Sequence, residues 1–248
     1  RTHEAPGTQN RTEHRAPGTE HLAPNETAVP MILVIAEQHE GRLNRTSWEA
    51  VAAAQRLSSK AAEQPVHVVL PGSGIDALAR ELASADVAEV VALEHPALEP
   101  YTADGFAQAL TAFVAERTPQ YVVFPHTYRA RDYVPKLAAA LRRPLITDVV
   151  GLAEAEGQPA FTRLVFQGKL AADVVPVGEA PCLVTVQAGA FPVDTVLKGD
   201  SPAPVTALAA QVSADAIRQR PEPPFREAAH AVDLSQAARI VAVGRGIK

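Results

Sequence analysis

The sequence predicts an α/β fold in which helices cover both faces of a parallel sheet and an antiparallel extension follows. Short apolar runs alternate with segments of helical periodicity over residues 32–141, as they do in strand–helix repeats with right-handed crossovers. From about residue 161 strand-like runs are instead separated by glycine turns, as in antiparallel hairpins. Hydrophobic residues form 47% of the 248 and aromatic residues only 5%, so small side chains would let helices pack closely on the sheet.

Four buried strands and four helices are predicted in the first part of the chain. The strands are the apolar runs at residues 32–35, 66–70, 90–93 and 121–124. The helices follow from apolar residues spaced three or four apart at 48–57, 75–82, 106–114 and 133–141. Ser47 is the predicted cap of the first helix, and Asp104 would favour the N-terminus of the third.

In the second part of the chain, strands are predicted at residues 161–166, 171–175 and 182–186, which together would form the antiparallel extension. Prolines then punctuate residues 192–237, which is typical of a connector. Within it, residues 205–212 are predicted as an isolated strand. Residues 234–238 would form a helical turn and residues 239–243 a new strand.

These patterns divide the chain into four segments. Residues 1–30 are polar, repeat Ala-Pro-Gly-Thr and lack periodicity, so they are predicted to be a disordered, non-native-looking extension. The one methionine, Met31, is then the expected natural start. Residues 31–191 form the predicted α/β domain and 192–237 the connector. Residues 238–248 read as the first strand and turn of a truncated further domain, because a strand followed by Gly-Arg-Gly normally opens a strand–helix unit.

Charge and cysteine content argue against several classes of protein. A net charge of -5 argues against nucleic acid as the main partner, since phosphate binding needs a basic surface. No apolar run approaches the roughly 18 residues that a membrane span requires. The one cysteine, Cys182, excludes an intramolecular disulfide and a cysteine metal cage. Its apolar neighbours predict a buried, inert thiol, consistent with a cytoplasmic location.

The most polar cluster of the predicted domain follows its fourth strand. His126 stands where open α/β sheets place ligands, and further polar residues follow it: Thr127, Tyr128, Arg129, Arg131 and Asp132. A ligand-binding role and a structural role are both open. The structural one is favoured, with Arg131 and Asp132 bracing the next helix or pairing with neighbours.

Other polar segments give weaker signals. Gly72-Ser73-Gly74 lacks the third glycine of a dinucleotide fingerprint and the lysine of a P-loop, so a plain turn is favoured. Glu37, His39 and Glu40 lack metal-ligand spacing and are interpreted as solvated loop residues. No triad or carboxylate pair is visible, so no catalytic residue and no metal site are predicted.

Short blocks spread over residues 31–248 resemble, in order, those of electron-transfer flavoprotein α subunits. The blocks are residues 31–37, 41–43, 49–51, 124–127, 131–138, 146–149, 161–163, 168–169, 185–186, 190–191, 238–241 and 244–247. Two positions depart from the family pattern. Gln187 lies in a stretch that usually holds an arginine followed by proline, and Val243 stands where a glycine is usual.

The resemblance implies a heterodimeric electron carrier, not an enzyme. In this family an α and a β subunit hold one FAD, and the β subunit holds AMP. Electrons pass from acyl-CoA-type dehydrogenases, as in fatty-acid β-oxidation, to a membrane quinone oxidoreductase of the respiratory chain. The first domain of the α subunit resembles an adenine-nucleotide-hydrolase or Rossmann-like fold and acts as a scaffold.

The resemblance also implies where FAD would lie. Most of its contacts would come from a carboxy-terminal domain, of which Gly244, Arg245 and Gly246 are the matching residues here. Arg245 matches an arginine near the diphosphate, a role suited to a guanidinium fork.

Two alternatives stay open. The first is a stand-alone regulatory module of the same fold that binds an adenine nucleotide. The second, with less support, is a hydrolase or ligase that uses His126 and Asp132.

Overall fold

The computed structural model describes residues 30–222, 239–244 and 246. In this part of the chain the strands are β1 (Ile32–Ile35), β2 (Gln38–His39), β3 (Arg42–Leu43), β4 (Val66–Gly72), β5 (Glu89–Glu94), β6 (Tyr121–Pro125), β7 (Leu145–Ala155), β8 (Gln158–Val165), β9 (Leu170–Val174), β10 (Cys182–Val186) and β11 (Val205–Ala209). The α-helices are α1 (Arg45–Lys60), α2 (Asp76–Leu82), α3 (Ala103–Arg117) and α4 (Tyr128–Leu141).

One mixed sheet organises these elements. Its order is β11-β5-β4-β1-β6-β10-β7-β8-β9. Every neighbouring pair from β11 to β7 is parallel, and β8 and β9 add in antiparallel fashion. The predicted fold class, a parallel sheet with an antiparallel extension, is therefore confirmed.

Helices cover both faces of the parallel strands, as predicted. Along β1, Ile32 and Val34 pack with α1 and α2 on one face, while Leu33 and Ile35 pack with α3 and α4 on the other. All four residues of β1 are buried. Alternate residues of a strand point to opposite faces, so a strand buried on both faces reads as one continuous apolar run.

The first helix is capped three residues earlier than at Ser47, the cap that the sequence predicts. Asn44 is the cap, and its Oδ1 accepts from the amide of Thr46 at 3.2 Å. Ser47 lies inside the first turn, fully buried. Its hydroxyl accepts from the amide of Glu37 at 2.8 Å and donates to the carbonyl of Glu37 at 3.0 Å. The predicted cap is wrong because this serine holds the end of β1 instead.

The strand at residues 182–186 is not part of the antiparallel extension. It is β10, parallel to β6 on one side and to β7 on the other. All five of its residues are buried. The sequence of an apolar strand does not indicate whether its neighbours run parallel or antiparallel to it, so the prediction was wrong. β7 itself was not predicted, because Thr147, Asp148 and Gly151 interrupt its hydrophobic pattern.

The segment predicted as an isolated strand in the connector instead joins the sheet. β11 pairs in parallel with β5, from Val205 beside Val90 to Ala209 beside Glu94. The chain after residue 191 thus returns to complete one edge of the sheet. Two short 3₁₀ turns, Val193–Thr195 and Ala214–Ala216, flank this strand.

The predicted strand at residues 239–243 is absent, since no strand of the described chain contains them. Ile240, Val241 and Val243 are 63%, 87% and 66% exposed. A strand exists only through hydrogen bonds to a neighbour, and an apolar run does not supply one. Residues 1–29 and the predicted helical turn at 234–238 lie outside the described residues. No helix among the described residues is long and apolar enough to cross a membrane.

Candidate functional site at the carboxyl edge of the sheet

The strand order reverses between β1 and β6. From β1 the chain continues outward to β4 and then β5 on one side, and β6 returns to the other side of β1. Open α/β sheets bind ligands in the crevice that such a reversal leaves at the carboxyl ends of the strands. Here Glu37 lies two residues after the end of β1, and His126 and Thr127 directly follow β6.

A hydrogen bond closes this crevice. The hydroxyl of Thr127 lies 2.9 Å from both carboxylate oxygens of Glu37. The same oxygen accepts from the amide of Ala130 at 3.0 Å, so Thr127 is also the cap of α4. Glu37 is only 4% exposed, and its interpretation as a solvated loop residue is wrong. The end of β1 directs this side chain into the crevice. The local pattern of a strand followed by a polar loop does not indicate that burial.

The environment of Glu37 changes its acidity. Burial raises the pKa of Glu37 to about 7, although the Thr127 hydrogen bond and the charge of Arg129 act in the opposite direction. Burial disfavours the charged carboxylate more than these two groups favour it. Near neutral pH the crevice therefore holds a mixture of protonated and ionised carboxyl.

Arg129 lies over the same edge. Its Nη1 donates to the carbonyl of Gln38 at 2.8 Å, its Nη2 lies 3.2 Å from Nδ1 of His39, and its guanidinium is 5.1 Å from the ring centre of Tyr101. The hydroxyl of Tyr101 donates to Asp132 at 3.0 Å. These contacts tie the β2–β3 hairpin to α4.

The predicted structural roles of Arg131 and Asp132 agree with the contacts. Asp132 accepts from the hydroxyl of Tyr101, and the guanidinium of Arg131 lies 5.6 Å from the ring centre of Tyr128. Both residues pair with neighbours, whereas the helix is capped by Thr127. His126 bonds to a different residue, Thr185, so the described contacts do not assemble the His126 and Asp132 pair that a hydrolase would need.

The glycine loop after β4 is a turn, as favoured from the sequence. Gly74 has φ +66°, which suits glycine, and a Cβ on Gly72 would lie 2.8 Å from Cγ2 of Ile75. The amide of Ile75 donates to a carboxylate oxygen of Glu94 at 3.2 Å. A carboxylate of the protein thus occupies a donor that a phosphate would need.

A second polar group lies on the other side of β6. Nδ1 of His126 is 2.8 Å from the hydroxyl oxygen of Thr185, which accepts from the amide of Asp148 at 3.0 Å. Arg163 donates through Nη2 to the hydroxyl of Thr147 at 3.1 Å. Sequence reasoning found His126 but missed its neighbours, because β7 was not recognised. The polar pair Thr147-Asp148, directly after a buried residue, was the available signal.

The residues predicted to bind FAD do not form a cradle within the described chain. Gly244 and Gly246 are exposed, and no heavy atom lies within 4 Å of where a Cβ would stand on either. Arg245 lies outside the described residues. The described residues therefore show no cradle for FAD at these positions, and its binding stays a prediction. Among the described side chains there is also no group of three or more potential ligands arranged for a metal ion.

Comparison with known proteins gives a consistent family match. A family model described as "Electron transfer flavoprotein domain" matches residues 32–213. The chain is 30% identical over 217 residues to "Electron transfer flavoprotein subunit alpha" of Bacillus subtilis (strain 168), covering 88% of this chain and 65% of the relative.

Relatives with other names cover a similar share of the chain. "Acryloyl-CoA reductase electron transfer subunit beta" of Anaerotignum propionicum is 28% identical, covering 87% of this chain and 65% of the relative. "Lactate dehydrogenase (NAD(+),ferredoxin) subunit LctC" of Acetobacterium woodii is 27% identical, covering 88% and 51%. The Bacillus and Anaerotignum matches both span 65% of the relative's length.

Proposed function

The chain belongs to the electron transfer flavoprotein family, and we propose that it is an α-type subunit whose α/β domain is a scaffold in a heterodimeric electron carrier. The observation that carries the scaffold role is the hydrogen bond that closes the crevice between Glu37 and Thr127. The place where this fold would ordinarily hold a nucleotide is filled by the protein's own side chains.

The closed crevice also disfavours the stand-alone nucleotide-binding module. A phosphate there would have to displace the Thr127 hydroxyl, which caps α4. It would also face the Glu37 carboxyl, whose pKa is about 7 and which is therefore negatively charged at a higher pH. Losing a cap costs about 1 kcal/mol, and like charges in a buried crevice repel each other strongly.

The cofactors and the division into segments form part of the same proposal. We propose that FAD is bound chiefly by a carboxy-terminal domain that begins near residue 238 and includes Gly244, Arg245 and Gly246. Residues 192–237 are the proposed connecting segment, which contributes β11 to the sheet on its way. When bound, FAD supplies the redox chemistry, while the protein binds and orients it. AMP is expected in the β partner.

The proposed electron donors are acyl-CoA-type dehydrogenases, and the proposed acceptor is a quinone oxidoreductase of the respiratory chain. The printed names of the relatives include an acryloyl-CoA reductase subunit and a lactate dehydrogenase subunit. We therefore regard fatty-acid β-oxidation in the cytoplasm as one setting among several for such a carrier. We expect no substrate turnover by this subunit itself.

Isothermal calorimetry on the purified chain separates the scaffold from the nucleotide-binding module. AMP and ATP are titrated, with adenosine as the control that lacks phosphate. We expect no saturable heat from any of them. A saturable heat with AMP that disappears on Thr127→Tyr, a change that puts a bulky ring where a nucleotide would have to enter, would establish the nucleotide-binding module instead.

Visible absorbance tests the proposal for FAD. The described residues form no cradle for it, so we expect the purified 248-residue chain to carry far less than one flavin per molecule. Stoichiometric flavin absorbance in that material would show that these residues suffice to bind FAD.

A further inference from the structure

A cavity on the β10 side of β6 contains polar groups that the scaffold role does not use. Its volume is about 370 Å³, within the range of pockets that hold small molecules. Val134 and Leu145 contribute apolar wall. The polar lining residues are His126, Arg131, Thr147, Asp148, Arg163 and Thr185.

The hydrogen bonds around Thr185 are compatible with a proton on Nε2 of neutral His126. The hydroxyl oxygen of Thr185 accepts from the amide of Asp148, so its own hydrogen is free to be donated. Nδ1 of His126, at 2.8 Å, is the partner in reach. In the tautomer in which Thr185 donates to Nδ1, neutral His126 carries its proton on Nε2. This Nε2 is 3.9 Å from Asp148 Oδ1, too far for a good hydrogen bond, and remains available as a donor.

Asp148 is held in an unusual backbone conformation at the edge of this cavity. Its φ is +60°, a region that residues other than glycine seldom adopt. The register of β7 against β10 shifts at this point, between Val184 and Val186. Bulges of this kind redirect a side chain and are frequent beside functional sites. Here the bulge leaves the carboxylate of Asp148 lining the cavity, with 43% of the side chain exposed.

Arg163 contributes a buried donor without a partner. Its Nη2 donates to Thr147, but its Nε is buried and has no hydrogen-bond partner among the described residues. An unsatisfied buried donor is uncommon and costs about 1–3 kcal/mol. This nitrogen is itself closed to solvent, so a ligand oxygen would reach it only after a shift of the Arg163 side chain. Arg163 nevertheless lines the cavity, and its guanidinium is the donor group that a ligand oxygen there would meet.

The charges of the cavity select the kind of ligand. Arg131 and Arg163 are positive and Asp148 is negative. Burial lowers the pKa of His126, and both arginines act in the same direction against the opposing effect of Asp148, so the imidazole is neutral at neutral pH. The sum is about one positive charge, which one carboxylate would balance. A phosphate dianion would overcompensate it, and a zwitterionic amino acid would leave it unbalanced.

We propose that this cavity binds a small 2-hydroxy acid, in which the carbon next to the carboxylate carries a hydroxyl group. The guanidinium of Arg163 and the Nε2–H of His126 donate to the carboxylate oxygens, and the carboxylate of Asp148 accepts from the ligand hydroxyl. Val134 and Leu145 leave room for a short apolar substituent. This binding activity is separate from the scaffold role and does not depend on it.

Calorimetric titration with glycolate, the smallest such acid, tests the proposal, and acetate and inorganic phosphate serve as comparisons. The ring resonances of His126 are followed by NMR in parallel. We expect glycolate to bind saturably, acetate and phosphate to bind less tightly, and the His126 resonances to move with glycolate occupancy.

Three variants assign the binding to the proposed groups. Arg163→Gln should weaken glycolate binding about tenfold or more, as expected for the loss of a hydrogen bond between charged groups. Asp148→Gly, which leaves no side-chain acceptor, should remove the preference for glycolate over acetate but retain acetate binding. Glycine adopts a positive φ readily, so this variant is expected to fold. Arg80→Gln is the matched control, because its ion pair with Asp76 is exposed on α2, and its affinity should equal that of the unchanged chain.

Several outcomes would overturn the proposal. These are no saturable binding of glycolate, equal glycolate affinity in Arg163→Gln, or tighter binding of phosphate than of glycolate. A His126 signal that responds only to an added β-type subunit would assign the cavity to a protein interface. Failure of AMP binding or of heterodimer formation has no bearing on these results, so the two proposals are tested separately.

Discussion

At the scale of single residues, Glu37 combines burial with a titratable group. Its pKa is raised from 4.5 to about 7, chiefly by burial. Because the folded protein holds this proton more tightly than the unfolded chain, the folded state is favoured at low pH. That contribution declines as the pH rises from about 4.5 to about 7, the window between the two pKa values.

Glu37→Gln should remove this pH dependence. The amide keeps an oxygen that accepts from Thr127 but does not ionise. The compared quantity is the free energy of unfolding of the variant minus that of the unchanged chain. We expect this difference to increase by about 3 kcal/mol between pH 4.5 and pH 8. Urea denaturation at both pH values measures it. An equal difference at the two pH values would show that Glu37 keeps its ordinary pKa.

Two tyrosines near this edge of the sheet should differ in how removal of the hydroxyl changes the free energy of unfolding. Tyr133 is fully buried, and its hydroxyl has no hydrogen-bond partner in the described part of the chain. Tyr101 donates its hydroxyl to Asp132. Tyr133→Phe should therefore leave the free energy of unfolding unchanged or raise it by about 1 kcal/mol, while Tyr101→Phe should lower it by about 1 kcal/mol.

Chemical denaturation of both phenylalanine variants makes this comparison, and each serves as the control for the other. Both substitutions remove one oxygen and keep the ring. A loss of stability in Tyr133→Phe larger than that in Tyr101→Phe would show that the buried hydroxyl has a bonding partner.

At the scale of elements, β11 is the strand whose role changes most from the sequence prediction. It pairs in parallel with β5, and the amide of Ala210 donates to the carbonyl of Glu94. Because strand amides alternate in direction, the amides of Thr206 and Leu208 should also point to β5, while those of Val205 and Ala207 point away.

Amide hydrogen exchange resolves this alternation. We expect slow exchange at Thr206, Leu208 and Ala210 and faster exchange at Val205 and Ala207, which act as internal controls on the same strand. Uniformly fast exchange across all five would show that the segment is a linker, as the proline pattern around it indicates.

Elements whose own residues determine their structure are predicted correctly from the sequence. Elements whose structure depends on residues far away in the chain are not. The apolar run of β1 is buried on both faces, so its composition reveals it. β10 is equally apolar, but its direction depends on β6 and β7 as neighbours. β7 contains Asp148 at positive φ, a conformation that propensity does not predict.

The candidate site shows the same division. His126 and Thr127 are predictable because they follow a recognisable strand. Glu37 was assigned to solvent, although it also follows a strand, because its burial depends on Thr127, 90 residues later in the chain. Arg163 and Thr185 reach His126 and Asp148 only through the pairing of β7 with β8 and β10, which local patterns do not contain.

At the scale of the whole molecule, the sheet, its closed crevice and the family match support the same proposal. The family model covers residues 32–213, which include every strand and helix named here. A crevice already filled by Glu37 and Thr127 suits a domain that supports a partner better than one that holds a nucleotide. The polar cavity beside it then remains as the place where a small ligand would bind.

Native mass spectrometry after co-expression with a β-type electron transfer flavoprotein subunit tests the central proposal most directly. The β-type subunit expressed alone is the control for self-association. The proposal predicts a one-to-one complex whose mass is the sum of the two chains, with any AMP present only in species that contain the β-type subunit. A chain that remains alone and itself retains AMP would contradict the scaffold role and establish a nucleotide-binding module.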